Sequence, residues 1–146
     1  MAKSAEADLI SLKQKLDIGA NRAITQYFFD NDSFLRFRDK AESIGIDKPI
    51  IPGILPIHDI DKVRDFSQRC GVIFPERYQP LYDKVKNDPA ARYQISLELA
   101  VRQCEELFKE GVDQFHLYTL NQTDMCLDIS LAFGASVVPF EVSSAA

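Results

Sequence analysis

Gly19-Ala20-Asn21-Arg22-Ala23-Ile24-Thr25-Gln26-Tyr27-Phe28-Phe29-Asp30 is the stretch on which the fold turns. A glycine follows a segment with helical apolar spacing, where a left-handed cap closes a helix. A short polar group comes next, then a β-rich apolar run, then Asp30, Asn31 and Asp32, any of which is suited to cap a new helix. The same punctuation returns at Gly45, ahead of Pro49 to Leu55, and at Gly111, ahead of Phe115 to Leu120. Five of the six glycines (Gly19, Gly45, Gly71, Gly111, Gly134) stand at such positions. The expected helices run from Glu6 to Ile18, Asp32 to Ile44, Asp59 to Cys70, Pro89 to Glu110 and Thr123 to Phe133. The longest is the clearest: Leu97, Ala100, Val101, Cys104, Leu107 and Phe108 fall on one stripe. Val72 to Asp88 reads as a longer connection.

The three strand runs are nearly continuous in apolar residues, as expected when helices cover a parallel sheet or a parallel barrel closes. Strand and helix alternate, which points to α/β architecture with right-handed crossovers. Residues 1–146 read as a single domain with about three parallel strands and five or more helices. A closed (βα)8 TIM barrel takes about 250 residues, so a partial barrel is expected, with open edges and an uncovered inner face. Five or six apolar side chains such as Ile24, Ile50, Ile54 and Leu117, left wet at about 1.5 to 3 kcal/mol each, would forfeit on the order of 10 kcal/mol. That rivals the whole stability of a small domain, about 5 to 15 kcal/mol. Further strands or a second copy of the chain are expected to cover the face.

Composition narrows the partners. Hydrophobic residues make up 46% and charged residues 27%, and 17 basic against 22 acidic side chains leave a formal charge of −5. A pI near 5.0 offers no footprint for nucleic acid. The longest uncharged stretch, Ile129 to Phe140, is too short for a membrane span. The start lacks the apolar core of a secretion signal, and the three cysteines are odd in number and widely spaced, so free thiols and a reducing cytoplasm are expected. Ser136 to Ala146 reads as a frayed end.

In parallel α/β folds ligands gather at the carboxyl ends of the strands. There, Gln26 is an uncharged amide inside an apolar run. It is either a core amide satisfied by backbone or water, or one that faces a heterocycle, since a buried amide without partners costs about 1 to 3 kcal/mol. Gly53, between Pro52 and Ile54, reads as a point of close approach more readily than as a bulge. His116 reads as a hydrogen-bonded core histidine. No Cys-x-x-Cys, metal-spaced histidine set, dinucleotide or P-loop glycine motif, or G-x-S-x-G elbow occurs.

Longer strings carry a family resemblance. Lys3-Ser4-Ala5-Glu6-Ala7-Asp8-Leu9, with Leu12-Lys13 and Lys15, followed by Gly19 to Asp30, resembles the middle of methylenetetrahydrofolate reductase. Ile50-Ile51-Pro52-Gly53-Ile54-Leu55-Pro56 and Phe115-His116-Leu117-Tyr118-Thr119-Leu120-Asn121 resemble that family's last two barrel strands in order and spacing. The resemblance runs from about Lys3 to Gly134 and covers the C-terminal half of the family's catalytic (βα)8 barrel.

It implies a flavoprotein that reduces 5,10-methylenetetrahydrofolate to 5-methyltetrahydrofolate, with FAD taking hydride from NADH or NADPH. By the same resemblance, Gln26 contacts the folate pterin, Phe66 packs on folate or nicotinamide, and Leu120 is an apolar contact in that cleft. Asp8 and Lys15 resemble members of an Asp-x-x-Asn-x-x-x-Lys set on the ribose and phosphate side of the flavin. Two departures stand out: Ser11 replaces the asparagine of that set, and Gln122 replaces an arginine that often follows Leu-Asn. The general acid and most groups beside the flavin ring belong to the other barrel half. The chain is therefore expected to hold FAD weakly or not at all by itself, and to act with that half supplied. The alternative is a non-catalytic half-barrel that self-associates or assembles with a full-length reductase.

Overall fold

The computed structural model describes residues 2–120 and 123–134. The chain runs α1 (Ala2–Asp17), β1 (Ala23–Tyr27), α2 (Asn31–Ser43), β2 (Ile50–Ile54), α3 (Ile60–Cys70), a 3-10 turn (Glu76–Tyr78), α4 (Gln79–Asp83), α5 (Pro89–Lys109), β3 (His116–Leu117) and α6 (Thr123–Ala132). The strands form one sheet in the order β1-β2-β3, with both pairs parallel. Among the described residues, three parallel strands and six α-helices make a partial (βα) barrel. The tail from Ser136 onward lies outside the described residues.

Local chemistry sets the boundaries. Asp30 caps α2, its carboxylate accepting from the Asp32 N–H at 3.1 Å. Asp59 caps α3 through the N–H groups of Asp61 and Lys62, and Asp88 caps α5 through that of Ala91. These bonds take up helix donors that have no partner within the helix. All five capping glycines have positive φ, and Gly71, at 72°, closes α3. The Val72 to Asp88 connection holds more structure than expected. Its 3-10 turn and five-residue α4 carry Tyr78 and Tyr82 into the core, segments too short for an apolar period to reveal.

Tyr27, Phe29, Leu55, Ile57, Val63, Tyr78 and Tyr82 form one buried cluster, and Phe34, Ile54, Cys104, Leu107 and Val112 form another. α1 seats Leu9 and Leu16 against Ala41 and Ile46, and α6 seats Met125 and Ile129 against Ala100. The expectation of a wet sheet face needs correction. Ile54 is fully buried against residues of α2 and α5, and Ile50 and Leu117 are half-buried against the helix layer. Of the four, only Ile24 stays open, 48% exposed. It sits on β1, an edge strand among the described residues.

Candidate active-site groove

A cavity of about 580 Å³ runs beside β1, lined among others by Asp8 and Leu12 of α1, Ile24 and Gln26 of β1, Phe28, and Phe37 of α2. The ladder beside it is irregular. From Ile24 to Tyr27 β1 takes three residue steps where β2, from Ile51 to Gly53, takes two. That is a β-bulge, which turns a side chain out of its regular direction. Gln26 is exposed, like Ile24 two residues earlier on the same face of the strand, so of its two readings the core amide falls. Its Oε1 accepts from the Tyr27 N–H at 3.2 Å, and the residue lines the groove with an amide group that can also donate.

Gly53 is a point of close approach, and the approaching atoms belong to this chain. A Cβ there would stand 2.5 Å from the Thr25 carbonyl oxygen and 2.6 Å from Cε2 of Tyr118. The Tyr118 hydroxyl crosses over Gly53 and donates to that carbonyl at 2.9 Å. His116 lies edge-on to Tyr118, ring centres 4.6 Å apart. Sequence reading singled out neither Tyr118 nor Thr25, and the one signal was the unexplained glycine between them. His58, just past β2, has a buried Nδ1 without a hydrogen-bond partner among the described residues.

The remaining expected site residues are spread out. Asp8 shares the groove with Gln26. Ser11 and Lys15 are exposed on the same helix at spacings of three and four, but do not line the groove. Phe66, half-buried on α3, stacks on Tyr27 at 6.0 Å and 13° and so joins the core cluster. Leu120 follows β3, 42% exposed, with φ at 42°. It is the one non-glycine at positive φ among the described residues. Such a conformation costs about 1 to 3 kcal/mol and tends to persist where function holds it. Gln122 lies outside the described residues. Cys104 and Cys126 are buried, which pushes the Cys104 thiol up to about 12 and raises that of Cys126, while Cys70 is exposed. Among the described residues no group of three or more His, Cys, Asp or Glu side chains could hold a metal ion, and no helix is long and apolar enough to cross a membrane.

The family profile described as methylenetetrahydrofolate reductase matches residues 1–134. The chain belongs to the methylenetetrahydrofolate reductase family. It is 44% identical over 133 residues to the 5,10-methylenetetrahydrofolate reductases of Pectobacterium carotovorum and Escherichia coli, in each case 91% of this chain and 45% of the relative. A plant relative, methylenetetrahydrofolate reductase (NADH) 1 of Zea mays, is 34% identical over 87% of this chain and 21% of its own length. This methylenetetrahydrofolate reductase family chain thus spans under half the length of the bacterial relatives it matches. The stretch matched by the family profile includes all three strands and the helix that carries Asp8, Ser11 and Lys15.

Proposed function

We propose that this chain supplies the C-terminal wall of a reductase barrel that converts 5,10-methylenetetrahydrofolate to 5-methyltetrahydrofolate, with FAD relaying hydride from NADH or NADPH. The observation that carries the reading is the colinear family match over residues 1–134, together with polar and apolar site candidates at strand ends. Gln26 offers both a donor and an acceptor on one planar group, the complement of a pterin's amide edge. Phe66 and Leu120 offer apolar surface for flat rings.

The donor set on α1 fits a dinucleotide in part. Lys15 is exposed with no ion pair among the described residues, whereas Lys13 is bonded to Asp17 at 2.8 Å. Lys15 would meet phosphate, and Asp8 and Ser11 would meet ribose or phosphate oxygens through hydrogen bonds. The chemistry the flavin supplies when bound is hydride transfer; this chain's residues bind and orient around it. Two charge-assisted contacts at about 1.5 to 3 kcal/mol each fall short of the roughly 8 kcal/mol that micromolar binding needs. The remainder must come from the other barrel half, on a second polypeptide or on more of the same one.

FAD titration by fluorescence quenching tests this, on the purified chain and then on the chain co-expressed with the N-terminal half of the Escherichia coli relative. Weak or no binding by the chain, with yellow colour and NADH-dependent reductase activity in the co-expressed pair, is expected. Tight stoichiometric binding by the lone monomer would overturn the half-site argument. A folded pair that holds no flavin would overturn the reductase reading. A colourless dimer of the chain alone would favour the self-associating alternative, for which the exposed Ile24 edge is the supporting observation.

A further inference from the structure

We propose that Tyr118 is a positioning residue: from just beyond β3, its hydroxyl holds the bulged β1 peptide from which Gln26 faces the groove. The inference rests on the reading of Gln26 as a ligand contact.

The hydrogen bonds around Gly53 show how the bulge is held. In a regular parallel ladder continuing from Ala23 opposite Ile50, the Gly53 N–H would reach the Thr25 carbonyl. Here that N–H is accepted by the Thr25 hydroxyl oxygen at 3.0 Å, so a side chain replaces its own backbone in the ladder. The same hydroxyl donates to the Gln26 carbonyl at 2.9 Å. The displaced Thr25 carbonyl leaves the ladder and would lack a strand partner. It is met by the Tyr118 hydroxyl, which comes from just beyond β3 and passes over β2 where Gly53 has no side chain.

The Thr25 carbonyl belongs to the peptide unit that begins Gln26. Fixing it therefore fixes the direction in which the Gln26 backbone, and with it the carboxamide, leaves the strand. Without the extra residue, a one-residue change of register would send every side chain beyond it to the opposite face. Three strands thus meet at one peptide: β1 provides the bulge, β2 the gap, and the segment after β3 the hydroxyl. Neither Tyr118 nor Gly53 lines the groove, so both act through Thr25. Tyr118 also packs edge-on against Tyr27 with ring centres 6.3 Å apart, which anchors its ring independently of the hydroxyl.

Tyr118→Phe in the isotopically labelled full chain tests this without any ligand, by NMR of the Gln26 carboxamide and amide hydrogen exchange at Tyr27. The phenyl ring keeps the packing and loses only the donor. Expected are Gln26 carboxamide shifts moved toward those of a free glutamine and exchange at Tyr27 faster by roughly tenfold, the effect of one ordinary hydrogen bond. Exchange at Val63 and Leu107, in the two core clusters, should stay as in the parent. Thr25→Val is expected to reproduce the change and Thr25→Ser, which keeps the hydroxyl, to restore the parent shifts. Unmoved Gln26 signals in a folded Tyr118→Phe variant would overturn the proposal. So would equal acceleration at Tyr27, Val63 and Leu107, because Tyr118 would then be a general core contact. Since no folate enters the measurement, failure of the folate reading would show only in ligand binding and leave this result standing.

Discussion

β1 and β2 are both five residues long and mostly apolar, yet they live in different surroundings. Along β2 every residue after Ile50 is buried, and the chain stays buried through Ile57. Along β1 exposure alternates, with Ile24 and Gln26 open and only Tyr27 buried. Strand propensity does not separate them; position in the sheet does. Among the described residues β2 has a neighbour on each side, whereas β1 has one neighbour and a groove. The central strand carries stability, and the edge strand carries the polar group proposed for function. A bulge belongs on the edge, where breaking the ladder sacrifices the least pairing.

The sharpest way to break this comparison is to truncate the same side chain on each strand. Ile54→Ala removes a fully buried side chain packed against residues of α2 and α5 and should cost about 2 to 5 kcal/mol. Ile24→Ala removes one that is 48% exposed, and its cost should stay below about 1 kcal/mol, in line with its smaller buried area. Urea unfolding of the two variants checks the ratio. Equal losses would mean that β1 is covered in solution, by a second copy or another chain, and the edge would have to be redrawn.

The end of β2 extends the contrast to pH. Tyr82 is buried, its hydroxyl paired with Ser96 at 2.7 Å, and Ser96 in turn donates to the Ile57 carbonyl just beyond the strand. Burial pushes the Tyr82 hydroxyl up from 10.0 to about 12, outweighing the opposing effect of the Ser96 bond. A raised pKa in the folded state means stability that is complete below the ordinary tyrosine value and lost as pH climbs from 10.0 toward about 12. The loss is on the order of 2 kcal/mol. Burial raises Tyr27 and Tyr78 in the same direction. Tyr82→Phe should start less stable by the lost hydrogen bond and then decline less steeply over this window. Parallel decline of parent and variant in urea titrations would show that Tyr82 ionises without opening the core.

Much of this contrast was legible in the residues, and the illegible part has a common cause. Glycine punctuation, aspartate caps and apolar stripes are local, so the helices ending at Gly71 and Gly111 and the parallel order of the strands followed directly. Gly53 could be marked as a close approach, in preference to a bulge, because a glycine inside such a run leaves room for another segment or a ligand. What came near it could not be read, since Tyr118 lies 65 positions farther along and meets Thr25 only after three strands align. Gln26 stayed open between a core amide and a ligand-facing one for a similar reason: its neighbours are apolar, and nothing local announces that β1 is an edge. Phe66 could be assigned a ring-stacking role from the family, but its stacking on Tyr27 is a tertiary contact beyond the reach of any sequence window.

The end of β1 gives the smallest effect and the opposite pH sign. Asp30 leaves the strand and caps α2, accepting from the Ser33 hydroxyl at 2.7 Å and the Asp32 N–H at 3.1 Å. The Ser33 hydroxyl bond holds its carboxyl below the usual 3.8, outweighing burial, which pushes the other way, with the Asp32 and Ser33 N–H groups and the Arg36 charge assisting. A depressed folded pKa gives stability that is present above the ordinary carboxylate value and lost as pH falls through the lowered one. Asp30→Ala should cost about 1 kcal/mol near neutrality, the ordinary worth of such a cap. The gap between parent and variant should narrow below pH 3.8, once the carboxylate takes up its proton. Stability curves of the two proteins against pH decide it: a gap that persists undiminished in acid would assign the cap to neutral hydrogen bonding. The edge strand would then lack the electrostatic tie that the cap gives it, leaving the Phe29 ring, buried against Phe74 and Tyr78, as the main anchor of its exit.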